Sequence, residues 1–86
     1  MSKPEFDADG FNADVGARLR HHRRRVGKSQ AEVAVEVGIS RAAIANIENG
    51  RQRIPADILW RAAIVVGVPF VKLIPEPMRL TGEKPR

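Results

Sequence analysis

The chain has 86 residues, of which 43% are hydrophobic, and it carries a formal net charge of +5 at neutral pH. This length permits one small domain, and the lack of cysteine excludes both disulfide bonds and cysteine-ligated metal sites. No run approaches the roughly 18 apolar residues of a membrane helix, and the polar, acidic start "MSKPEFDADG" is unlike a signal peptide, so we expect a cytoplasmic protein without a membrane partner.

The positive charge is concentrated in the middle of the chain. Residues 15–61 include ten Lys or Arg and four acidic residues, whereas acidic residues prevail in the first fourteen positions. A basic body with an acidic end favours a polyanionic partner such as nucleic acid, although many proteins have a high pI for reasons of solubility alone.

The apolar pattern predicts five helices and no strands. The first helix is expected to begin at an Asn12 cap and to end at Gly27. Its predicted inward residues, at three- and four-residue steps, are Phe11, Val15, Leu19, His22 and Val26. We expect residues 1–10 to form a flexible acidic tail.

A second and a third helix follow in close succession. Ser29 and Glu32 have the spacing of a capping box at the start of the second helix, and Gly38 is expected to end it in a left-handed conformation. Ser40 is the expected cap of the third helix, which ends at Asn49. The predicted inward residues are Ala31, Val33, Ala34 and Val37 in the second helix and Ile44 and Ile47 in the third.

A fourth helix is predicted to start at Pro55, and a short fifth helix lies between Pro69 and Pro75. The predicted core residues of the fourth helix are Ile58, Leu59, Ala62, Ala63 and Val66. Residues 76–86 contain little apolar surface, so we expect a flexible tail there. The domain is therefore predicted to span residues 11–75 as an all-α, compact five-helix bundle with disordered polar tails.

The spacing of small and apolar residues after Gln30 is that of a helix-turn-helix. With Gln30 as the first residue, alanine stands at the fifth position, glycine at the ninth, and isoleucine at the fifteenth and eighteenth. A small fifth residue lets the third helix cross closely, the glycine forms the turn, and the isoleucines fix the angle between the helices. We therefore predict a helix-turn-helix over about residues 29–49.

Over about residues 15–74, the sequence resembles the Cro/C1-type (Xre-like) repressor domains, which have the lambda-repressor-like fold. The matching segments are "VGARLR", "SQAEVA", "VGIS", "IANIENG" and "GVPFVKLI". The resemblance implies a dimeric repressor that places its third helix in the major groove of a palindromic operator in double-stranded DNA. It also implies a bacterial or phage-encoded protein of the nucleoid. His22, Lys28 and Trp60 depart from the family pattern, which usually has apolar residues at the first two positions and leucine at the third.

The resemblance further implies roles for individual residues. Those expected to face DNA bases are Ser40, Arg41, Ala42, Ala45 and Asn46. Those expected to contact the DNA backbone are Ser29, Gln30, Asn49, Arg51 and Arg53. Arg41 has the chemistry to bind guanine, Asn46 to read adenine and the alanines to touch a thymine methyl, while Gln30 is also expected to brace a base-reading residue. Arg23 and Glu48 match positions that form a partly buried ion pair between the first and third helices.

Some features allow two interpretations. The run "RLRHHRRR" is either a solvated helix face or a patch for DNA phosphates, for which Arg20 and Arg24 are the best candidates. Trp60 is expected in the core in preference to an interface. The dimer-surface candidates in the fifth helix, which alternatively belong to the core, are Phe70, Leu73 and Ile74.

Catalytic patterns are missing from the sequence, so we expect neither an enzyme nor a cofactor. There is no nucleophile motif and no phosphate-binding glycine-rich loop. His21 and His22 point about 100° apart on a helix and lack a third ligand at metal spacing, so no metal site is expected. The alternative to a repressor is an antitoxin or another interaction module that binds a small protein as well as its own operator. A bundle that never touches DNA would require the exposed basic face to be accidental.

Overall fold

In a computed structural model of the chain, residues 7–76 are described, and this range is all-helical with no strand. The four α-helices are α1 (Ala8–Arg25), α2 (Gln30–Val37), α3 (Arg41–Glu48) and α4 (Ala56–Val66), and a 3-10 helix follows at Phe70–Leu73. The prediction of an all-α bundle is confirmed. Residues 1–6 and 77–86, which include most of both predicted tails, lie outside the described residues. No helix within the described range has the length and apolar character that a bilayer span requires.

Helix α1 begins earlier than predicted, and its cap is Asp7 in place of Asn12. The Asp7 side chain accepts a hydrogen bond from the N–H of Gly10 at 2.9 Å, and Asp9 adds negative charge to the first turn. The extra turn forms because this carboxylate satisfies an N–H that has no partner inside the helix. Residues 8–10 therefore belong to α1 and not to a flexible tail.

The hydrophobic core lies where all five elements meet. Its residues, each at most 5% exposed, are Val15, Leu19, Val33, Ala34, Val37, Ile44, Ile47, Leu59, Ala62, Ala63, Val66 and Leu73. Among the residues predicted to face inward, Phe11, His22 and Ile58 are half-buried at its margin, and two others are exposed. Val26 is exposed because it caps the end of α1, beyond the packed turns, and Ala31 is exposed in the first turn of α2.

Trp60 lies on the surface, so its prediction as a core residue was wrong. Its side chain is 58% exposed, and Ile64, one turn later on the same face of α4, is 60% exposed. The register of α4 is set by its neighbours, because Leu59, Ala62 and Ala63 already occupy the stripe that faces the core. Trp60 and Ile64 therefore form an exposed apolar pair.

The fifth helix is a single 3-10 turn, preceded by Pro69 and followed by extended backbone at Ile74. Leu73 is fully buried in the core and is therefore not accessible to a second subunit, which corrects its prediction as a dimer contact. Phe70 remains 41% exposed and Val71 67% exposed, whereas Ile74 is half-buried. The accessible apolar surface of this turn is thus formed by its first residues.

Candidate nucleic-acid interface

Helices α2 and α3 meet at a glycine corner. Gly38 adopts a left-handed conformation with φ of 92°, and the N–H groups of Gly38 and Ile39 donate to the carbonyl oxygen of Ala34 at 2.8 and 3.0 Å. The hydroxyl of Ser40 then accepts the N–H of Ala43 at 3.0 Å and so caps α3. This corner starts α3 in a new direction, across α2.

One face of α3 is anchored in the core and another is accessible. Ile44 and Ile47 are at most 1% exposed. The residues predicted to face bases divide into the exposed Ser40, Arg41 and Ala42 and the half-buried Ala45 and Asn46. The Asn46 amide makes no hydrogen bond within the described range, so it can serve an external partner.

Helix α3 is joined to α1 by a bidentate ion pair. Arg23 Nε donates to Glu48 Oε2 at 2.6 Å, and Arg23 Nη2 donates to Glu48 Oε1 at 2.9 Å. Arg23 Nη1 also donates to the carbonyl oxygen of Lys28 at 2.9 Å. Arg23 is 8% exposed and Glu48 only 3%. The structure thus brings together the two residues that the family resemblance paired.

Hydrogen bonding keeps Glu48 in its charged form. Burial acts to raise the pKa of Glu48, but the hydrogen bonds from Arg23 and Gln30 outweigh burial and hold the pKa below its usual value. The same bond raises the pKa of Arg23. Because the two charges compensate each other away from water, the loss of either partner leaves a buried charge without its bidentate partner, which is costly.

Gln30 connects this ion pair to the accessible face of α3. Its Nε2 donates to Glu48 Oε1 at 3.1 Å, and its Oε1 accepts from Arg41 Nη1 at 3.3 Å. The other donors of Arg41 make no hydrogen bond within residues 7–76. Arg41 is therefore held at one nitrogen and otherwise accessible.

Arg20 lies against the C-terminal end of α3. Its Nη2 donates to Asn49 Oδ1 at 2.7 Å and to the backbone oxygen of Glu48 at 3.4 Å. Its Nε lies 3.5 Å from Glu48 Oε1. The last carbonyl groups of a helix lack intrahelical partners, and Arg20 provides one for the carbonyl oxygen of Glu48. Two residues predicted to contact phosphates, Arg20 and Asn49, are thus bonded to each other.

Other basic side chains predicted to contact phosphates are unpaired. Arg24 of α1 is exposed, as are Arg51 and Arg53 in the loop after α3. Within the described part of the chain, these three guanidinium groups make no hydrogen bond or ion pair. Their charges are therefore available to a polyanion.

The N-terminus of α2 is already occupied by a carboxylate. The hydroxyl of Ser29 accepts the N–H of Glu32 at 3.0 Å, and the Glu32 carboxylate accepts the N–H of Ser29 at 2.8 Å. Hydrogen bonding of the carboxylate to Ser29, first of all to its backbone N–H, lowers the pKa of Glu32. The predicted capping box is present, and Ser29 is placed by it at the exposed start of the helix.

Gly16 and Lys28 position these helices in ways that sequence reasoning did not foresee. A β-carbon at Gly16 would collide with the carbonyl oxygen of Ile47 in α3, so α1 and α3 meet backbone to backbone. Lys28 Nζ donates to Glu36 of α2 at 2.7 Å and to the carbonyl oxygen of Val65 in α4 at 3.2 Å. Two features of the sequence could have indicated these contacts. They are the glycine of "VGARLR" and a lysine at a position where the family usually has an apolar residue.

The two adjacent histidines of α1 pack edge to face, with ring centroids 5.0 Å apart. His22 Nδ1 is buried without a hydrogen-bond partner within the described range. Burial, followed by nearby positive charges beginning with His21, lowers the pKa of His22. Among residues 7–76, no group of three His, Cys, Asp or Glu residues has an arrangement suited to a metal ion.

An open groove of about 960 Å³ lies between the first turns of α1 and the 3-10 helix. Its apolar lining includes Phe11, Phe70, Val71, Ile74 and Pro75. Asp14 and Arg18 line its polar side and form an ion pair at 2.9 Å. This groove is formed by elements other than α3.

The fold and this interface define a helix-turn-helix protein. A family profile described as "Helix-turn-helix domain" matches residues 14–72. The chain belongs to this helix-turn-helix family, and its resemblance to the Cro/C1-type (Xre-like) regulators is confirmed.

Solved structures with the same fold include several regulators. The restriction-modification controller protein C.AhdI from Aeromonas hydrophila is 24% identical, with a TM-score of 0.69 over 72% of this chain and 94% of that one. A hypothetical transcription factor NHTF from Neisseria is 26% identical, with a TM-score of 0.73 over 90% and 86%. SinR, a master regulator for biofilm formation solved in complex with DNA, is 27% identical, with a TM-score of 0.64 over 69% and 95%. No match was found among curated proteins.

Proposed function

We propose that this protein is a sequence-specific DNA-binding transcriptional regulator, and that it represses by binding a palindromic operator as a dimer. The observation that carries the proposal is α3, which is anchored through the buried Glu48 while Arg41 and Asn46 stay available to an external partner. The similarity to SinR, whose structure contains DNA, supports a DNA-binding role. Such a regulator acts at the nucleoid in the cytoplasm and performs no catalytic step.

In this proposal the first turns of α3 read base edges in the major groove. Arg41 binds O6 and N7 of a guanine, and Asn46 binds N6 and N7 of an adenine. Ser40, at the exposed start of the helix, accepts or donates one hydrogen bond, and the small Ala42 and Ala45 leave space for a thymine methyl.

Contacts to the DNA backbone supply affinity and salt dependence. Arg24, Arg51 and Arg53 are suited to this role because their guanidinium groups have no partner within the described range. The other proposed backbone contacts are Ser29, Gln30, Asn49 and Arg20. Among these, Arg20 also keeps Asn49 in place through their 2.7 Å hydrogen bond.

A dimer is proposed because one recognition helix buries too little surface for tight specific binding. Two copies related by a two-fold axis would place their recognition helices about 34 Å apart, one turn of DNA. The exposed apolar residues that can support such contacts are Trp60, Ile64, Phe70 and Val71.

The proposal is tested by comparing Arg41→Ala with Arg51→Ala on a DNA site selected from random sequence. Arg41→Ala should reduce discrimination at one base pair of each half-site, because it removes a base contact. Arg51→Ala should weaken binding to all sequences and reduce the slope of log affinity against log salt by about one unit. Equal losses on every sequence for both variants would refute direct reading of bases by α3.

The groove beside the 3-10 helix favours a second candidate function, a module that binds a small protein as well as DNA. Its exposed apolar lining at Phe70 and Val71 is typical of an interaction surface. Co-purification of a stoichiometric small protein with the wild-type chain, abolished in a Val71→Asp variant, would support an antitoxin-like role. Retention of that protein by the variant would exclude this groove as the binding surface.

A further inference from the structure

A continuous chain of hydrogen bonds links a buried charge to an accessible arginine. It runs from Arg23 to Glu48, from Glu48 Oε1 to Gln30 Nε2 at 3.1 Å, and from Gln30 Oε1 to Arg41 Nη1 at 3.3 Å. Glu48 is only 3% exposed, so it cannot itself touch a DNA base. An effect of Glu48 on base recognition therefore passes through its neighbours, of which Gln30 is the one that also bonds Arg41.

We infer that Glu48, beyond joining α1 to α3, is a positioning residue for base recognition. It orients the Gln30 amide so that the amide oxygen holds Arg41 on the accessible face of α3. This inference rests on the proposed function, in which Arg41 reads a guanine.

The chemistry of the three groups allows one orientation of the amide. An ionised carboxylate only accepts hydrogen bonds, and a guanidinium only donates them. With Nε2 toward Glu48 and Oε1 toward Arg41, the Gln30 amide makes two favourable bonds. A flipped amide would place oxygen against oxygen and N–H against N–H, which is unfavourable at both ends. Arg23 holds the Glu48 carboxylate in place, so the orientation originates in the buried core.

Holding Arg41 in this way favours discrimination between bases. The bond to Gln30 uses one of the five guanidinium N–H groups, so others remain for O6 and N7 of guanine. A side chain that is already ordered loses less conformational freedom on binding. Without the brace, Arg41 would visit more conformations, and part of its preference for guanine would disappear.

The test uses two variants on a selected operator. Gln30→Met is similar in size and removes both bonds of the amide, while the ion pair stays intact. Glu48→Gln replaces the carboxylate by a group that can also donate. The readout is the ratio of dissociation constants for the operator and for a site changed at the guanine that faces Arg41. The matched control is the same ratio for a change at the adenine that faces Asn46.

Both variants should lower the ratio at the guanine by about fivefold and leave the ratio at the adenine unchanged. In an Arg41→Ala background, Gln30→Met should have no further effect on the guanine ratio. If Gln30 also binds a phosphate, the loss of that contact would weaken binding to all sites equally. A uniform loss of this kind changes neither ratio of dissociation constants.

Equal losses at both base pairs, or a lower melting temperature with unchanged ratios, would overturn the inference and leave Glu48 with a structural role alone. If Glu48→Gln fails to fold by circular dichroism, Glu48→Asp replaces it, because the shorter side chain keeps the charge and withdraws the carboxylate from Gln30. If Arg41→Ala itself leaves the guanine ratio unchanged, the proposed reading of bases by α3 fails instead, and the two failures are thereby distinguished.

Discussion

Gly16 of α1 lies against the carbonyl oxygen of Ile47 in α3, with no room between them for a β-carbon. Arg23 lies two helical turns further along α1 and binds Glu48, the residue after Ile47. A close backbone contact and a bidentate ion pair therefore fix the same end of the recognition helix to α1. The orientation of α3 depends on α1 as much as on the glycine corner.

Gly16→Ala should destabilise the protein, although alanine normally favours a helix over glycine by about 1 kcal/mol. We expect the free energy of unfolding to fall by about 1–3 kcal/mol, because the new methyl forces α1 and α3 apart. Urea denaturation measures this change. The exposed neighbour provides a control, since Ala17→Gly should cost only the intrinsic helix propensity. A Gly16→Ala variant as stable as the wild type would contradict the close contact.

The Arg23–Glu48 pair should show strong energetic coupling. Arg23→Met or Glu48→Met alone should lower the free energy of unfolding by about 3 kcal/mol, since the remaining buried charge loses its bidentate partner. The double variant, with two apolar side chains in the same space, should cost clearly less than the sum. A double-mutant cycle by chemical denaturation measures the coupling, and strictly additive costs would argue against it.

Leu59 and Trp60 are adjacent in sequence but should differ sharply in their contribution to stability. Leu59→Ala should cost about 3 kcal/mol because its side chain is only 5% exposed, whereas Trp60→Ser should cost less than about 1 kcal/mol. Thermal or urea unfolding at low protein concentration makes the comparison. Similar costs for both variants would mean that Trp60 packs in the core after all.

His22 should make stability depend on pH near neutrality. Its pKa in the folded state lies below the ordinary value of 6.5, so the unfolded chain binds this proton more readily. The contribution to stability is present above pH 6.5 and is lost as the pH falls through 6.5 towards the folded-state pKa. Denaturation midpoints between about pH 8 and pH 5 measure the slope.

His22→Gln should abolish this slope, while His21→Gln should only weaken it, because burial is the larger cause of the lowered pKa of His22 and His21 the second. The depressed pKa of Glu48 acts in a separate window, because its contribution is lost only as the pH falls below the ordinary glutamate value of 4.5. An unchanged slope in His22→Gln would assign the effect to another group.

The parts of the fold that follow local rules were predictable from the sequence. The capping box at Ser29, the turn at Gly38 and the buried Ile44 and Ile47 depend on spacing within a few turns of helix. The outward position of Trp60 was not predictable in the same way. It depends on which face of α4 meets the other helices, and a bulky aromatic residue fits the apolar pattern on either side.

The candidate site was predictable as a set of residues but not as a network. The resemblance indicated Arg41, Gln30 and Glu48 by position. The hydrogen bonds that link them join the start of α2 to both the start and the end of α3. The engagement of Arg20 with Asn49 likewise bridges α1 and the end of α3. Such contacts depend on helix packing, and residues far apart in sequence give no periodic signal for them.

The proposal that α3 reads DNA sequence is tested by selecting binding sites from a random double-stranded DNA pool with the purified full chain at near-physiological salt. We predict an enriched imperfect palindrome whose half-site centres lie about one helical turn, or 34 Å, apart. Salt-sensitive binding to all sequences without any enriched motif would contradict the proposal, because backbone contacts alone would then explain the affinity.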